Sequence, residues 1–268
     1  MNEGGNLLSI GKERRLKRIF LNGKTVIIPM DHGVTSGPIK GLVNMQNIID
    51  KLVNGGANGI VIHKGIAKTV DTKGLGLIIH LSASTKYSLN PNRKVIVCSI
   101  EEAIRLGADA VSVHINIGDE KEPEMLEALG EVADKCDYFG VPLLAMMYPR
   151  GAKISSEHDF EAVAHAARLG AELGADVIKT NYTGSVETFK KVIEACPVPV
   201  VIAGGPKVET TREVLQMVYD SLKAGGAGVS IGRNVFQHED PVAITKALVA
   251  IVHKGASVNE ALKILGES

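Results

Sequence analysis

The sequence predicts an α/β protein: a single (β/α)8 TIM barrel that spans residues 1–268, with extra N- and C-terminal helices. Three observations carry this expectation. The length of 268 residues suits one large domain. Eight short, β-branched apolar runs lack polar alternation, as expected of parallel strands that are buried on both faces. Amphipathic segments long enough to be helices separate most of these runs.

The predicted strands and helices alternate along the chain. The strands are Thr25–Met30, Gly59–His63, Leu77–Leu81, Ala110–Ile115, Pro142–Tyr148, Asp176–Thr180, Val198–Ala203 and Ala227–Gly232. The clearest helices are Glu124–Phe139, Phe160–Leu173, Thr210–Lys223 and Pro241–His253. We expect a solvated helix face at Lys12–Arg18 rather than an RNA-binding patch, and a last helix over residues 257–265.

A weak internal repeat supports the count of strands. GGANGIVIH (55–63), LGADAVSVH (106–114), LGADVIKT (173–180) and GGAGVSIG (225–232) share one layout, in which a helix-ending glycine precedes a strand. Glycine adopts the left-handed conformation in which many helices end, so the chain can turn at once into the next strand. An open, doubly wound sheet is the alternative, but no GxGxxG motif opens a first βα unit.

Two segments fit this scheme less well. Ser82–Pro91 has the composition of a long loop, and Val95–Ile100 is a strand-like run outside the eight. Neither segment requires a second domain.

Composition narrows the class of protein. Hydrophobic residues make up 45% of the chain, and 30 basic residues balance 30 acidic ones, which gives no electrostatic case for nucleic acid or an anionic membrane as partner. No apolar run approaches the roughly 18 residues that span a bilayer. Three scattered cysteines suit a reducing compartment. We therefore expect a cytoplasmic enzyme.

In this fold the active site lies at the carboxyl ends of the strands. Lys179 is the unusual residue there, because it sits inside DVIKT, a predicted strand whose other members are mostly apolar. A partly desolvated lysine loses its charge more easily, and its neutral amine can attack a carbonyl. The alternatives are a lysine that pairs with a carboxylate or holds a phosphate. Lys64 is a second candidate nucleophile, one residue further into its loop.

Tyr148 and Asp31 end two other strands and suit the proton transfers of Schiff-base aldol chemistry. A phenol near a lysine can serve as acid and base, and a carboxylate can orient or deprotonate a hydroxyl. The plainer alternatives are a core-capping tyrosine and a turn aspartate that bonds its own backbone within DHG. Their shared position at the rim favours the catalytic interpretation.

Glycine-containing segments end the last two predicted strands. AGGP (203–206) and IGRN (231–234) place Gly204, Gly205, Gly232 and Arg233 where barrels commonly bind phosphate. Glycines let backbone N–H groups approach an anion, and arginine can clamp its oxygens.

Three histidines give a rival mechanism. His63, His80 and His114 end the second, third and fourth strands and could together hold Zn²⁺ for a metal-dependent aldol reaction. No HxH or HExxH spacing and no acidic cluster accompanies them, so we expect neither a metal nor another cofactor.

Several motifs resemble those of the archaeal class I aldolases, and among them the 2-amino-3,7-dideoxy-D-threo-hept-6-ulosonate synthases. They are PMDHGVTSGPIKGL (29–42), AMMYPRG (145–151), VAHAARLGAELGADVIKTNYTG (163–184), VIAGGP (201–206) and IGRNVFQH (231–238). The resemblance begins near Gly11 and covers nearly the whole chain. It implies a barrel that transfers a fragment of 6-deoxy-5-ketofructose 1-phosphate to L-aspartate 4-semialdehyde, on a route to 3-dehydroquinate and the aromatic amino acids. It also implies a ring-built homo-oligomer, commonly a decamer.

The resemblance implies roles for individual residues. Lys179 would form the Schiff base, Tyr148 would donate a proton, Asp31 would accept one, and His114 would be a neighbouring active-site residue. The implied substrate contacts are Asp31, His32, Gly33, Val34, Thr35, Tyr148, Pro149, Arg150, Lys179, Gly204, Gly205, Gly232 and Arg233.

Two alternatives stay open at this point. The archaeal fructose-bisphosphate aldolases resemble this chain, but their first-strand motif is DHGIEHGP where this chain has DHGVTSGP. The small polar residues Thr35 and Ser36 favour the synthase branch. A barrel that binds phosphoketoses without catalysis is the second alternative, and the lysine, phenol and carboxylate at the rim argue against it.

Overall fold

A computed structural model of the protein describes residues 9–205 and 210–266, and it contains a closed barrel of eight parallel strands. The order around the barrel is β1-β10-β9-β8-β7-β6-β3-β2, while β4 and β5 form a separate antiparallel hairpin. The strands are β1 Thr25–Pro29, β2 Gly59–Ile62, β3 Gly76–His80, β4 Ser82–Ala83, β5 Val95–Ile96, β6 Ala110–Ile117, β7 Leu143–Pro149, β8 Val177–Thr180, β9 Val200–Ala203 and β10 Gly228–Ser230. The predicted barrel is confirmed, and the open sheet is excluded.

Helices follow most of the strands. They are α1 Ile10–Leu16, α2 His32–Ser36, α3 Met45–Gly55, α4 Lys64–Ala67, α5 Ile100–Arg105, α6 Glu122–Phe139, α7 Phe160–Glu172, α8 Val186–Ala195, α9 Thr211–Lys223, α10 Arg233–Phe236, α11 Pro241–Lys254 and α12 Val258–Ile264. Helix α12 confirms the predicted last helix. Within the described residues, no helix combines the length and the apolar character needed to cross a membrane.

The hydrophobic core has two layers, because each barrel strand is buried on both faces. Side chains such as Ile28 and Ile60 pack between the barrel and the helices, whereas Ile27, Val61 and Val177 fill the interior. The inward positions of one strand are two residues apart. Because Val177 faces the interior of the barrel, Lys179, two residues further along β8, faces it as well.

The repeated glycines end helices as the repeat predicts. Gly56 and Gly174 have φ values of 84° and 98°, in the left-handed region that side chains disfavour. Gly228 has a φ of 130°, and a Cβ there would lie 2.0 Å from the carbonyl oxygen of Thr25 on the neighbouring strand. Only glycine therefore lets β10 pair with β1 and close the barrel.

Helix α1 closes the amino-terminal end of the barrel. Ile19, which follows it, packs into the interior layer. Lys12 on α1 is 3% exposed and forms ion pairs with Asp137 on α6 and with Asp176 before β8. The expectation of a solvated face is therefore wrong for Lys12, because the sequence around it does not show the two distant carboxylates.

The segment between β3 and α5 also differs from expectation. Ser82–Ala83 was predicted as loop, but it pairs with Val95–Ile96. Of the strand-like run predicted over Val95–Ile100, only Val95–Ile96 forms a strand, and Ile100 is already the first residue of α5. The resulting hairpin stands over the mouth of the barrel.

Candidate active site

A cleft of about 240 Å³ opens at the carboxyl ends of the barrel strands. It is lined by Pro29, Asp31, His32, Thr35, Ser36, Lys94, His114, Met146, Tyr148, Arg150, Lys179, Asn181, Ala203, Gly204, Gly205, Ser230, Gly232 and Arg233. Most of the predicted site residues therefore come together. Gly33, Val34 and Pro149 do not line the cleft, because Gly33 and Val34 lie on the exposed side of α2 and Pro149 faces a neighbouring cavity.

That neighbouring cavity is larger, about 970 Å³, and is formed by the segments that follow β6 and β7. It shares Arg150 with the cleft but contains no Lys179 and no Asp31. We therefore place the chemistry in the smaller cleft, where the candidate nucleophile and carboxylate meet.

Lys179 lies on the floor of the cleft and is 6% exposed. It pairs in register with Met146 on β7 and Val201 on β9. Among residues 9–205 and 210–266, no carboxylate oxygen lies within 4.0 Å of its Nζ. Within these ranges Lys179 is therefore not part of an ion pair, and its amine faces the space where a substrate would bind.

Asp31 precedes α2 and makes no capping hydrogen bond from its side chain, so it is not the turn residue of the plainer alternative. Its carboxylate oxygens lie 3.8 Å from Nε2 of His80 and 3.8 Å from Nδ1 of His32. Burial alone would raise the pKa of Asp31, but His80, His32 and Lys179 lower it well below its usual range. Burial lowers the pKa of His80 to about 4, so this imidazole is neutral at pH 7.

His80 is held by two serine hydroxyls. Its Nδ1 lies 2.8 Å from the Oγ of Ser112, and its Nε2 lies 3.3 Å from the Oγ of Ser82. These contacts fix the ring beside Asp31, so His80 can position the carboxylate without taking up a proton at neutral pH.

His114 on β6 and Tyr148 on β7 form a second wall of the cleft. Their rings meet edge to face, with centroids 4.9 Å apart, and the guanidinium carbon of Arg150 lies 4.7 Å from the centre of the Tyr148 ring. Burial, with Lys94 and Arg150 nearby, lowers the pKa of His114 well below its usual value. The amide of Asn116 donates to the carbonyl of Asn92 at 2.6 Å, so its oxygen accepts from Nε2 of His114 at 2.9 Å. The other imidazole nitrogen of His114 keeps a free lone pair.

The segments that follow β9 and β10 form a third wall of the cleft. A Cβ at Gly204 would lie 2.6 Å from Ile231, and one at Gly232 would lie 2.7 Å from both His32 and the carbonyl oxygen of Pro29. The Nε of Arg233 and the Oγ of Ser230 are buried and have no hydrogen-bond partner in the described part of the chain. Unmade hydrogen bonds of buried groups are costly, so these atoms favour a bound anion here. Pro206 of the AGGP motif lies outside the described residues.

Three further polar residues of the cleft, Lys94, Asn181 and Ser230, are not among the residues expected from the sequence. Asn181 and Ser230 lie at strand ends, so the rule that located Lys179 could have found them. Lys94 gave no such signal, because it precedes the short strand of the hairpin and not a barrel strand.

The rival groups lie elsewhere or do not assemble. Lys64 begins α4, lies outside the cleft lining, and its Nζ is 2.9 Å from a carboxylate oxygen of Glu102. His63 and His80 stack edge to face at 5.3 Å. In the part of the chain that the structure describes, no three histidine, cysteine or acidic side chains group as metal ligands would.

Comparison with known proteins identifies close relatives. The chain is 47% identical over 260 residues to 2-amino-3,7-dideoxy-D-threo-hept-6-ulosonate synthase 1 of Archaeoglobus fulgidus, covering 96% of both chains. It is 46% identical over 258 residues to the corresponding synthase of Halobacterium salinarum, covering 96% of this chain and 97% of the relative. It is 44% identical over 248 residues to 2-amino-4,5-dihydroxy-6-oxo-7-(phosphonooxy)heptanoate synthase of Streptomyces griseus, covering 91% and 90%.

Solved structures agree with these relatives. A Schiff-base-forming fructose-1,6-bisphosphate aldolase superimposes with a TM-score of 0.86 at 35% identity, over 90% of this chain and 100% of that one. An archaeal fructose-1,6-bisphosphate aldolase, with its catalytic lysine bound to the carbinolamine intermediate, gives 0.85 at 35% identity, over 90% and 99%.

These comparisons confirm the resemblance inferred from the motifs. The relatives of 44–47% identity are synthases, and the solved fructose-bisphosphate aldolases share less of the sequence. The DeoC/LacD aldolase family model matches residues 25–238, most of the barrel. The chain belongs to the DeoC/LacD family of aldolases.

Proposed function

We propose that the protein is a lysine Schiff-base synthase of the transaldolase type. It would transfer a fragment of 6-deoxy-5-ketofructose 1-phosphate to L-aspartate 4-semialdehyde and form 2-amino-3,7-dideoxy-D-threo-hept-6-ulosonate. The observation that carries the proposal is Lys179, a buried amine on the floor of the cleft that has no carboxylate partner within residues 9–205 and 210–266. Two relatives that cover 96% of the chain carry the name of this synthase, which supports the choice of substrates.

The reaction begins at the amine. The neutral amine of Lys179 attacks the ketose carbonyl, and the carbinolamine that forms loses water to give a protonated imine. Loss of water requires a proton on the departing hydroxyl. Tyr148 lies on the neighbouring strand β7, faces the same interior and can supply that proton.

A carboxylate is needed for the carbon–carbon step. Asp31 accepts the proton of the hydroxyl that lies β to the imine carbon, the bond between the α and β carbons breaks, and its electrons form an enamine. The β carbon leaves as an aldehyde. The enamine then attacks the acceptor aldehyde, the new alkoxide takes up a proton, and water hydrolyses the imine to restore Lys179.

The phosphate has a separate place in this proposal. Arg233 and the backbone at Gly204, Gly205 and Gly232 would bind it, which supports a phosphorylated ketose as donor. The charge of the phosphate would then be met by Arg233, whose buried Nε has no hydrogen-bond partner among the described residues.

A second candidate is favoured by the Streptomyces griseus relative. The name of its product places a phosphonooxy group at carbon 7, so that relative keeps a phosphate that the first product lacks. The same residues could perform a simple aldol condensation of this kind, or cleave fructose 1,6-bisphosphate as the solved aldolases do.

Product mass tests these alternatives in one experiment. The purified protein is incubated with the deoxyketohexose phosphate and aspartate semialdehyde, and with dihydroxyacetone phosphate and aspartate semialdehyde in parallel. The proposal predicts a phosphate-free seven-carbon amino acid from the first mixture. A phosphorylated product from the second mixture alone would favour the condensation, and cleavage of fructose 1,6-bisphosphate alone would favour the aldolase.

We also propose that residues 1–268 act as one domain, as a ring-built homo-oligomer in the cytoplasm. The buried, unpaired cysteines Cys98, Cys136 and Cys196 support a reducing compartment. The side chains of Ile10 and Tyr138 are 74% and 84% exposed, which supports a surface that another subunit covers. Light scattering of the purified protein would give the number of subunits, and a monomer at micromolar concentration would contradict the proposal.

A further inference from the structure

The β4–β5 hairpin carries a positive charge into the cleft, opposite the loops that would bind phosphate. The hairpin lies between β3 and β6 in the chain, and these strands are diametrically across the barrel from β9 and β10. Lys94, one residue before β5, lines the cleft and also a small side pocket beside Asp31, His63 and His80. The cleft therefore has a cationic side chain at each end, with Lys179 between them.

The position of Lys94 is fixed by the hairpin. Its Nζ donates hydrogen bonds to the Oγ of Ser84 and, at 2.8 Å, to the carbonyl oxygen of Pro91. The hairpin is joined in turn to α2, because the hydroxyl of Thr35 donates to the carbonyl of Ser84 at 3.1 Å and the amide of Lys86 donates to the carbonyl of Thr35 at 3.0 Å. The amine is thus held over the cleft before any substrate arrives.

No carboxylate of the described residues is in direct contact with Lys94, although Asp31 and Asp119 lie near enough to raise its pKa. In the described ranges, no carboxylate oxygen lies within 4.0 Å of its Nζ. The nearby Arg150 is balanced, since its Nε lies 2.9 Å from an oxygen of Glu157. Burial and then the charge of Arg150 lower the pKa of Lys94 to about 8, so the protonated form still predominates at pH 7. A half-buried ammonium with neutral partners is a site for an anion.

The number of free donors indicates which anion. An ammonium group has three N–H bonds, and two of those on Lys94 are already used by Ser84 and Pro91. One donor and one net positive charge suit the single negative charge of a carboxylate. A phosphate dianion would need more donors, as the glycine loops and Arg233 offer on the other side.

We propose that Lys94 binds the carboxylate of the acceptor aldehyde and selects acceptors that carry one. This inference rests on the proposed function, because it needs an aldehyde acceptor that enters after the donor is bound to Lys179. Once the departing aldehyde has left with the phosphate, the acceptor would lie between Lys179 and the hairpin, with its carbonyl carbon at the enamine and its carboxylate at Lys94. A semialdehyde of a four-carbon acid is the chemical class that this arrangement takes.

Two matched aldehydes test the inference. Succinate semialdehyde and butanal have the same chain length and differ in the terminal carboxylate. The KM of each is measured with the ketose phosphate donor for the unmodified enzyme, for Lys94→Met and for Lys94→Arg. A charge-assisted hydrogen bond contributes about 1.5–3 kcal/mol, so Lys94→Met should raise the KM of succinate semialdehyde relative to that of butanal by roughly 10–100-fold. Lys94→Arg should recover part of this ratio.

Lys86→Met serves as the matched control, because Lys86 is an exposed lysine of the same hairpin. It should leave the ratio of the two KM values unchanged. Borohydride trapping of the donor on Lys179 is measured in each variant and needs no acceptor, so it reports separately on the fold and on the proposed Schiff base.

The outcomes distinguish the role of Lys94 from the proposed Schiff-base function. Trapping on Lys179 with a ratio that does not change in Lys94→Met would overturn the role of Lys94 and leave the proposed function standing. Absence of trapping in the unmodified enzyme would overturn the proposed function and the role of Lys94 together.

Discussion

The side chains of the cleft differ in the charge that they carry at neutral pH. Lys94 and Asp31 are ionised, whereas the imidazoles of His80 and His114 are neutral because burial lowers their pKa. Neutral, hydrogen-bonded histidines can hold their neighbours in place but are poor proton donors. We therefore assign the proton transfers to Tyr148 and Asp31.

Substitution of Tyr148 tests that assignment. Tyr148→Phe keeps the ring that packs on His114 and removes the hydroxyl, so kcat should fall by about 10²–10⁴. Tyr182→Phe is the matched control, because Tyr182 is buried, stacks on Phe189 and does not line the cleft. Steady-state assays of the two variants should show a loss only in the first. A Tyr148→Phe enzyme within threefold of the original kcat would move the proton donor elsewhere.

The pH dependence of acceptor binding follows from Lys94. Its pKa is lowered to about 8, so the amine is charged below that pH and loses its charge above it. The KM of succinate semialdehyde relative to that of butanal should be lowest below pH 7 and should rise between pH 8 and pH 9.5. Taking the ratio removes the contribution of Lys179, which acts on both aldehydes alike. A ratio that stays flat from pH 6.5 to pH 9.5 would contradict this prediction.

Replacing glycine by alanine should have opposite effects on stability in strand β10 and in helix α6. Gly228 must be glycine for β10 to approach β1, whereas Gly130 lies within α6 and a Cβ there would meet nothing within 4 Å. Glycine lowers the stability of a helix interior relative to alanine because it loses more backbone freedom on folding. The local surroundings therefore decide the sign of the same substitution.

We expect Gly130→Ala to raise the free energy of unfolding by about 0.5–1 kcal/mol. Gly228→Ala should lower it by about 1–3 kcal/mol from backbone strain alone, before the clash with Thr25 is added. Urea unfolding followed by circular dichroism measures both changes. If the Gly228→Ala variant is as stable as the original, β10 can pair with β1 without the positive φ of residue 228.

The barrel strands were predictable because each is a short apolar run that ends at a glycine or a polar residue. The pattern around Thr25–Pro29 and Val177–Thr180 gave the strands to within one or two residues. The β4–β5 hairpin was not predictable, because Val95 and Ile96 are 47% and 41% exposed and pair with only two residues. Its position over the cleft depends on contacts with α2 that lie about 50 residues away in the sequence. Lys94 was missed for that reason, whereas Lys179 was found from its own strand.

At the scale of the whole molecule, Lys12 connects elements that lie far apart in the chain. This residue joins α1 to α6 and to the start of β8, across 125 and 164 residues of chain. Burial lowers the pKa of Lys12, but hydrogen bonds to Asp137 and Asp176 outweigh that effect and the pKa is raised. Removing the lysine would leave the carboxylate of Asp176 buried without its cation.

Lys12→Met should therefore lower the free energy of unfolding by about 3–5 kcal/mol. Lys17→Met is the control, because the pair of Lys17 with Glu13 on the same helix is exposed to solvent and should contribute little. Thermal unfolding of the two variants should show a lower midpoint only for Lys12→Met. Equal midpoints would mean that α1 is not needed to close the barrel.

The covalent bond at Lys179 is the central claim, and reductive trapping tests it most directly. The protein is incubated with the ketose phosphate and sodium borohydride, digested and analysed by mass spectrometry, with Lys179→Met as the control. We predict irreversible loss of activity and a donor-sized mass increase on the peptide that contains Lys179, and no such peptide in the control variant. A label on Lys64 or Lys94, or full activity after reduction, would contradict the account.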